Sequence, residues 1–220
     1  MTDTINTFLF DLDGTLIDSV ELILASYRHT MVEHRGATPG DDVWLKGLGT
    51  PLWAQFREFT DDDAEIEAMI ATYRAYNLAH HDAMVRAYPG IPDAVRTLAT
   101  RGVRLGIVSS KLRSGVARGL TLVGLETHFP VVVGADDLPE HKPHPAPVLR
   151  ALDLLDADPG RTVFIGDSPH DMAAGRAAGV RTAAVLWGPF PRALLEAHAP
   201  DYWLDTPDAI APLGTPRTET

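Results

Sequence analysis

FLFDLDGTLID, residues 8–18, places three acidic side chains directly behind an apolar run. A buried strand normally excludes charge, because an unpaired carboxylate in a low-dielectric interior is costly or takes up a proton. Asp11 and Asp13 therefore need something to compensate them. Their two-residue spacing sends both side chains to the same side for as long as the strand geometry persists, and Gly14 frees the backbone to turn sharply behind them. In open parallel sheets, ligands bind outside the carboxyl ends of the strands, near the point where strand order reverses. Two like charges at such an end call for a cation.

Outward from this stretch, β-rich apolar runs recur at residues 5–10, 103–108, 129–133, 162–165 and 182–186, with helix-like segments between them. That alternation predicts an α/β fold, a Rossmann-like parallel sheet with crossover helices. Between the first two runs, residues 19–85 read as helical throughout, whereas a crossover needs only about a dozen residues. The excess predicts an inserted α-helical cap domain, residues 18–83, on a catalytic core of residues 1–17 and 84–213. Residue 18 and residues 83–88 serve as its linkers, and residues 214–220 read as a flexible tail. Asp18 or Ser19 can cap ELILASYRHTMVEH, Glu21 stands three after Asp18 as in a capping box, and Gly36 falls where a helix would end. TDDDAEIEAMI, residues 60–70, lacks the central glycine and terminal glutamate of a calcium loop and reads as the acidic first turn of a helix.

Composition removes several classes of function. A chain of 220 residues suits one domain, or a core with a modest insertion. A net charge of −11 and a pI near 5.1 argue against nucleic acid as a partner. With no cysteine, disulfides, thiolate zinc sites and cysteine nucleophiles are excluded. No apolar run approaches the ~20 residues of a spanning helix, so no membrane partner is expected. MTDTINTFLF lacks the basic region of a signal peptide, and a cytoplasmic location is the expectation.

VFIGDSPHD, residues 163–171, repeats the opening arrangement: an apolar strand, Gly166, then Asp167 and Asp171 in the turn entering a helix. Carboxylates from adjacent strand ends converge, and oxygen-only ligation suits Mg2+. GIVSS ends in Ser109 and Ser110, followed by Lys111; hydroxyls and backbone N–H groups at a helix start can cradle an anion. EHKPHP holds Lys142, one of three lysines in the chain, in a loop that its prolines restrain. Lysine acts as a point charge toward phosphate.

DLDGT at residues 11–15, strand-terminal Ser109, Lys142 before a proline and GDSPHD at residues 166–171 resemble, in order, the four motifs of the haloacid dehalogenase (HAD) superfamily of phosphotransferases. The resemblance spans about residues 5–210. A helical cap between the first two motifs resembles the subclass containing phosphoglycolate phosphatase, β-phosphoglucomutase and a small pyrophosphatase. It implies Asp11 as nucleophile, forming an aspartyl phosphate, and Asp13 as general acid and then base. Ser109 and Lys142 would hold and neutralise the phosphoryl group, with Leu12, Gly14, Ser110, Gly49 and Thr50 binding substrate. Asp11, Asp13 (through its carbonyl) and Asp167 would hold Mg2+, with Asp171 acting behind them. It also implies a cis Lys142–Pro143 bond. The substrate implied is a small phosphorylated metabolite or pyrophosphate, inorganic pyrophosphate first and 2-phosphoglycolate second. A phosphomutase shares every core motif; a noncatalytic phosphate sensor would not require Asp13. Asp13 argues against halide displacement, because dehalogenases lack an acid there.

Other residues carry plainer readings. His80 and His81 are adjacent, point to different helix faces and are expected at the surface or in the linker. His141 and His144 read as solvated loop residues. Trp44 and Trp53 read as buried in the cap. GLGTPL, residues 47–52, breaks the helical pattern, and the resemblance implies that it faces the site to read the leaving group, with Lys46 beside it.

Overall fold

A computed structural model describes residues 4–214 of the chain. Residues 215–220 of the expected tail lie outside the described residues. In chain order the elements are β1 (Thr7–Phe10), β2 (Ile17–Asp18), α1 (Val20–Arg35), α2 (Asp41–Gly47), α3 (Leu52–Arg57), α4 (Asp63–Met84) and β3 (Arg86–Ala87). There follow α5 (Ile91–Thr100), β4 (Arg104–Val108), α6 (Arg113–Leu122), β5 (Val131–Val133), α7 (Ala146–Leu155), β6 (Thr162–Gly166), α8 (Pro169–Ala177), β7 (Arg181–Val185), α9 (Arg192–Glu196) and β8 (Tyr202–Leu204).

Six strands form one parallel sheet in the order β5-β4-β1-β6-β7-β8. The chain starts in the middle at β1, moves outward through β4 to β5, and returns to the other side for β6, so the order reverses at β1. Its carboxyl end is therefore the switch point where a crevice opens. β1 and β6 are buried at every residue, as continuous apolar runs are when helices cover both faces. Phe8 and Phe10 pack on one face with Ile107, Val163 and Ile165, while Leu9 packs on the other with Val108 and Phe164. β8 was not foreseen: its three residues are too few to show a period.

The insertion consists of four helices, broken at Gly36 and in the GLGTPL stretch as expected, and once more around Glu58. Tyr27 of α1 is its hub, stacked on Trp44 at 4.3 Å and tilted against Tyr73 at 4.8 Å. Gly36 ends α1 in the left-handed conformation, and Asp62 caps α4 by accepting from the Ala64 N–H. The capping box expected at α1 does not form. Ser19 stands at the N-cap, but its hydroxyl donates to Asp13 at 2.6 Å, and Glu21 pairs with Arg28. A hydrogen bond to a carboxylate is stronger than one to a neutral backbone group. The chain segments that enter and leave these helices meet: Ile17 and Asp18 pair antiparallel with Ala87 and Arg86. Among the described residues no helix is long and apolar enough to cross a membrane.

Candidate active site

In the register of the central strands, Phe10 lies opposite both Ile107 and Ile165, so the residues that follow emerge level with one another. Asp11, Ser109 and Asp167 are brought together in this way. Asp11, Asp167 and Asp171 are buried, and each presents an oxygen within 4.8 Å of the others. Lys142 enters from the loop between β5 and α7. Its Nζ lies 3.1 Å from Asp11 Oδ1 and 2.6 Å from Asp171 Oδ1, and donates to the Val108 carbonyl. The Lys142–Pro143 bond is cis.

Neighbours fix each carboxylate. Asp171 sits in a capping box at the start of α8, its Oδ2 accepting from the Ser168 N–H and hydroxyl. Asp167 Oδ1 accepts from the Thr15 hydroxyl at 2.9 Å, and the Thr15 carbonyl accepts from Trp187 Nε1. Gly14 has φ +81°, and a Cβ there would stand 2.6 Å from Asp167 Oδ2. Gly14→Ala is therefore expected to displace Asp167 and to cost about 1–2 kcal/mol in backbone strain. Calorimetric titration with magnesium should read at least a tenfold weaker affinity; unchanged binding would contradict this account of the turn.

Three carboxylates face one ammonium, so two negative charges go uncompensated. Burial, with the Asp171 and Asp13 charges, pushes Asp11 up to about 7 against the pull of Lys142. Burial, Asp171 and Asp11 likewise hold Asp167 well above the usual carboxylate range. Burial alone would lower Lys142, but Asp11 and Asp171 outweigh it and keep the ammonium charged. Hard oxygen donors with two excess negative charges fit a divalent cation of the magnesium kind.

The Asp13 carboxylate is turned away from this cluster. Lys111 Nζ lies 2.8 and 3.1 Å from its two oxygens, and Ser19 donates to it. Burial would raise its pKa, yet Lys111 and Ser19 bring it below the ordinary value. The sequence reading gave neither Lys111 nor Ser19 a role here. The signal for Lys111 was its scarcity as a residue type and its place just beyond a strand end.

The remaining expected residues divide. The Leu12 N–H serves the Asp11 carboxylate. Ser109 Oγ accepts from the Lys111 N–H, so its hydrogen can still be donated to a ligand. The Gly14 N–H is taken by the Ile17 carbonyl. The hydroxyls of Ser110 and Thr50 donate to the carbonyls of Gly49 and Gly47, both at 2.6 Å. They tie the GLGTPL loop to the core and to itself rather than presenting hydrogens to phosphate. Gly49, with φ +91°, passes close to Ser168 and His170.

Three expectations fail. Lys46 stands in solvent beside Asp42. Trp53, in the short α3, is 53% exposed, because Trp44 already fills the hub of the insertion. His81 is buried while His80 is exposed, since the 22-residue α4 turns one toward the core and the other outward. His81 Nδ1 meets Asp82 Oδ1 at 2.8 Å, and Arg118 holds Asp82 at 2.9 and 3.0 Å. His144 is exposed as expected, whereas His141 lines the cavity. That cavity, about 480 Å³, runs from Asp11, Asp13 and Asp167 to the inner face of the insertion.

Residues 8–185 match the model of the haloacid dehalogenase-like hydrolase family. This chain belongs to that family. It is an enzyme of the family's phosphatase branch. Pyrophosphatase PpaX of Bacillus cereus strain G9842 is 43% identical to this HAD hydrolase over 210 residues, covering 95% of the chain and 96% of the relative. A haloacid dehalogenase-like hydrolase structure from Streptococcus pneumoniae superposes with a TM-score of 0.84 at 28% identity, over 96% of this chain and 99% of that one. A Lactobacillus plantarum structure assigned as a phosphoglycolate phosphatase also superposes at 0.84, with 27% identity, over 96% and 99%.

Proposed function

We propose that this HAD hydrolase is a magnesium-dependent phosphohydrolase acting through an aspartyl phosphate, with inorganic pyrophosphate as first substrate and 2-phosphoglycolate as second. The observation that carries this reading is the Asp11–Lys142 pair, 3.1 Å apart inside a buried cluster of three carboxylates. The ranking of pyrophosphate is supported by the 43% identity to Pyrophosphatase PpaX. Residues 18–83 act as a cap over a core of residues 1–17 and 84–213.

Asp11 attacks phosphorus while Lys142 neutralises charge on the incoming phosphoryl oxygens and Ser109 donates a hydrogen bond to one of them. Asp11, Asp167 and the Asp13 carbonyl would hold magnesium, which when bound would offset the repulsion between carboxylate and phosphoryl oxygens. Asp171 keeps Lys142 in place. Asp13 protonates the leaving oxygen and then takes a proton from the attacking water. Bound to Lys111 it is a carboxylate, the form suited to the second task; the first requires its release from Lys111 and the uptake of a proton from solvent.

Phosphate release measured with pyrophosphate, 2-phosphoglycolate, sugar phosphates and nucleotides tests the reading. Pyrophosphate should give the highest kcat/KM without any bisphosphate primer, which a phosphomutase would need. Chelation should abolish release, magnesium should restore it, and calcium, with its larger and looser coordination, should inhibit. Full activity after exhaustive chelation would overturn the metal assignment. A far higher kcat/KM for a hexose phosphate or nucleotide would overturn the substrate choice.

A further inference from the structure

The cavity is larger and more apolar than a small polyanion requires. Its volume of about 480 Å³ lies in the range of roughly 300–1,000 Å³ in which pockets enclose whole organic ligands. This room does not come from a gaping insertion: Ser110 Oγ donates to the Gly49 carbonyl at 2.6 Å, so the loop at residues 47–52 already touches the core. The carboxylates Asp11, Asp13 and Asp167, with Lys111, gather at one end, while the exposed Arg74 and the half-buried Arg118 also reach the cavity, Arg118 already paired with Asp82. Away from that end the walls are formed chiefly by Leu48, Leu52, Trp53, Ile70, Leu78 and Phe190. Ile70, Tyr73, Arg74, Asn77 and Leu78 recur at helical spacing, so one stripe of α4, apolar but for Arg74 and Asn77, faces the chamber. Trp53 and Leu78 remain 53% and 58% exposed. Large apolar side chains left in contact with water around a concavity mark a place where apolar surface is meant to be covered.

Resting on the phosphohydrolase reading, we propose that the same site also hydrolyses phosphate monoesters whose leaving group is an apolar alcohol. The charged end takes the phosphoryl head and the chamber takes the hydrocarbon body, and an amphiphile with an anionic head matches both. Asp11 forms the bond to phosphorus as the ester P–O bond breaks. The electron pair departs on the alcohol oxygen, which receives the Asp13 proton. Water then attacks the aspartyl phosphate, its oxygen ends on phosphorus, and its proton returns to Asp13. The net change is ester plus water to alcohol plus inorganic phosphate.

A series of ethyl, butyl and hexyl phosphates, whose leaving alcohols differ little in acidity, tests this directly. With magnesium-loaded protein, kcat/KM should climb along the series by up to about fourfold per methylene, the factor that corresponds to ~0.8 kcal/mol per buried CH₂. Leu78→Asp, at an exposed position where folding is not at stake, and Ile70→Asp should each flatten that rise. Pyrophosphate hydrolysis is measured on the same samples. A flat or falling series alongside active pyrophosphate hydrolysis would overturn the inference and leave the proposed function standing. A rise that persists unchanged in both variants would also overturn it. Absence of phosphate release from pyrophosphate and from every ester would overturn both readings.

Discussion

Asp11→Asn is expected to reduce phosphate release to background while the protein stays folded. The amide cannot form the covalent bond to phosphorus, yet it fills the same volume and leaves Lys142 paired with Asp171 at 2.6 Å. Its effect on stability should run the other way. In the metal-free protein Asp11 is pushed from an ordinary value of 3.8 to about 7. The folded state thus holds this proton more tightly than the unfolded chain, and as pH rises from about 4 to about 7 the folded state loses stability. Asparagine does not titrate, so the variant should gain on the wild type across that window and keep a constant lead above it. At about 1.4 kcal/mol per pKa unit, the lead reaches a few kcal/mol. Urea unfolding in chelator at pH 5 and pH 8 reads it, and saturating magnesium should shrink it. Near wild-type phosphate release from Asp11→Asn would sink the mechanism.

Lys142→Met should be damaging in both respects. The residue is only 3% exposed and, among the described residues, is the single cation against Asp11 and Asp171. Removing one partner of a buried pair costs about 3–5 kcal/mol, because the remaining charge is left uncompensated. The loss should be largest in chelator and smaller with magnesium, since the cation supplies charge to the same carboxylates. Removing a preorganised group at a charge-developing site typically costs ~10²–10³-fold in kcat. Lys142→Arg should not rescue, because a planar fork cannot replace a compact ammonium wedged between two carboxylates and the Val108 carbonyl. Equal destabilisation with and without magnesium would show that Lys142 and the metal do not share a charge-balancing task.

The parts of the fold that could be read from the sequence were those whose residues are constrained on both sides. β1 and β6 are buried on both faces, and their continuous apolar runs announced them. The Asp11 and Asp167 turns followed because a glycine beside an acid at a strand end has few other readings. The pairing of Asp13 with Lys111 spans 98 residues and leaves no local trace. His81 was misread because adjacency to His80 says that two faces are involved, not which face is buried. Trp53 was misread because the tendency of aromatics to be buried ignores how much room the hub around Tyr27 has left. The hydroxyls of Ser110 and Thr50 were legible as polar groups near the site, but which carbonyl each would choose depends on where a loop from another part of the chain comes to rest.

The two-residue clasp of Ile17–Asp18 with Arg86–Ala87 has a consequence for how such a protein can change over evolutionary time. Because the outgoing and returning strands lie side by side, everything between them hangs from the sheet as a single loop. Its helices can be lengthened, traded or remodelled without altering the path of the core, provided the two strands still meet as neighbours. On the function proposed above, selectivity and chemistry would then sit on separately editable parts of one chain. A transplant of residues 20–83 between family members should carry substrate preference with it and leave the phosphoryl chemistry behind.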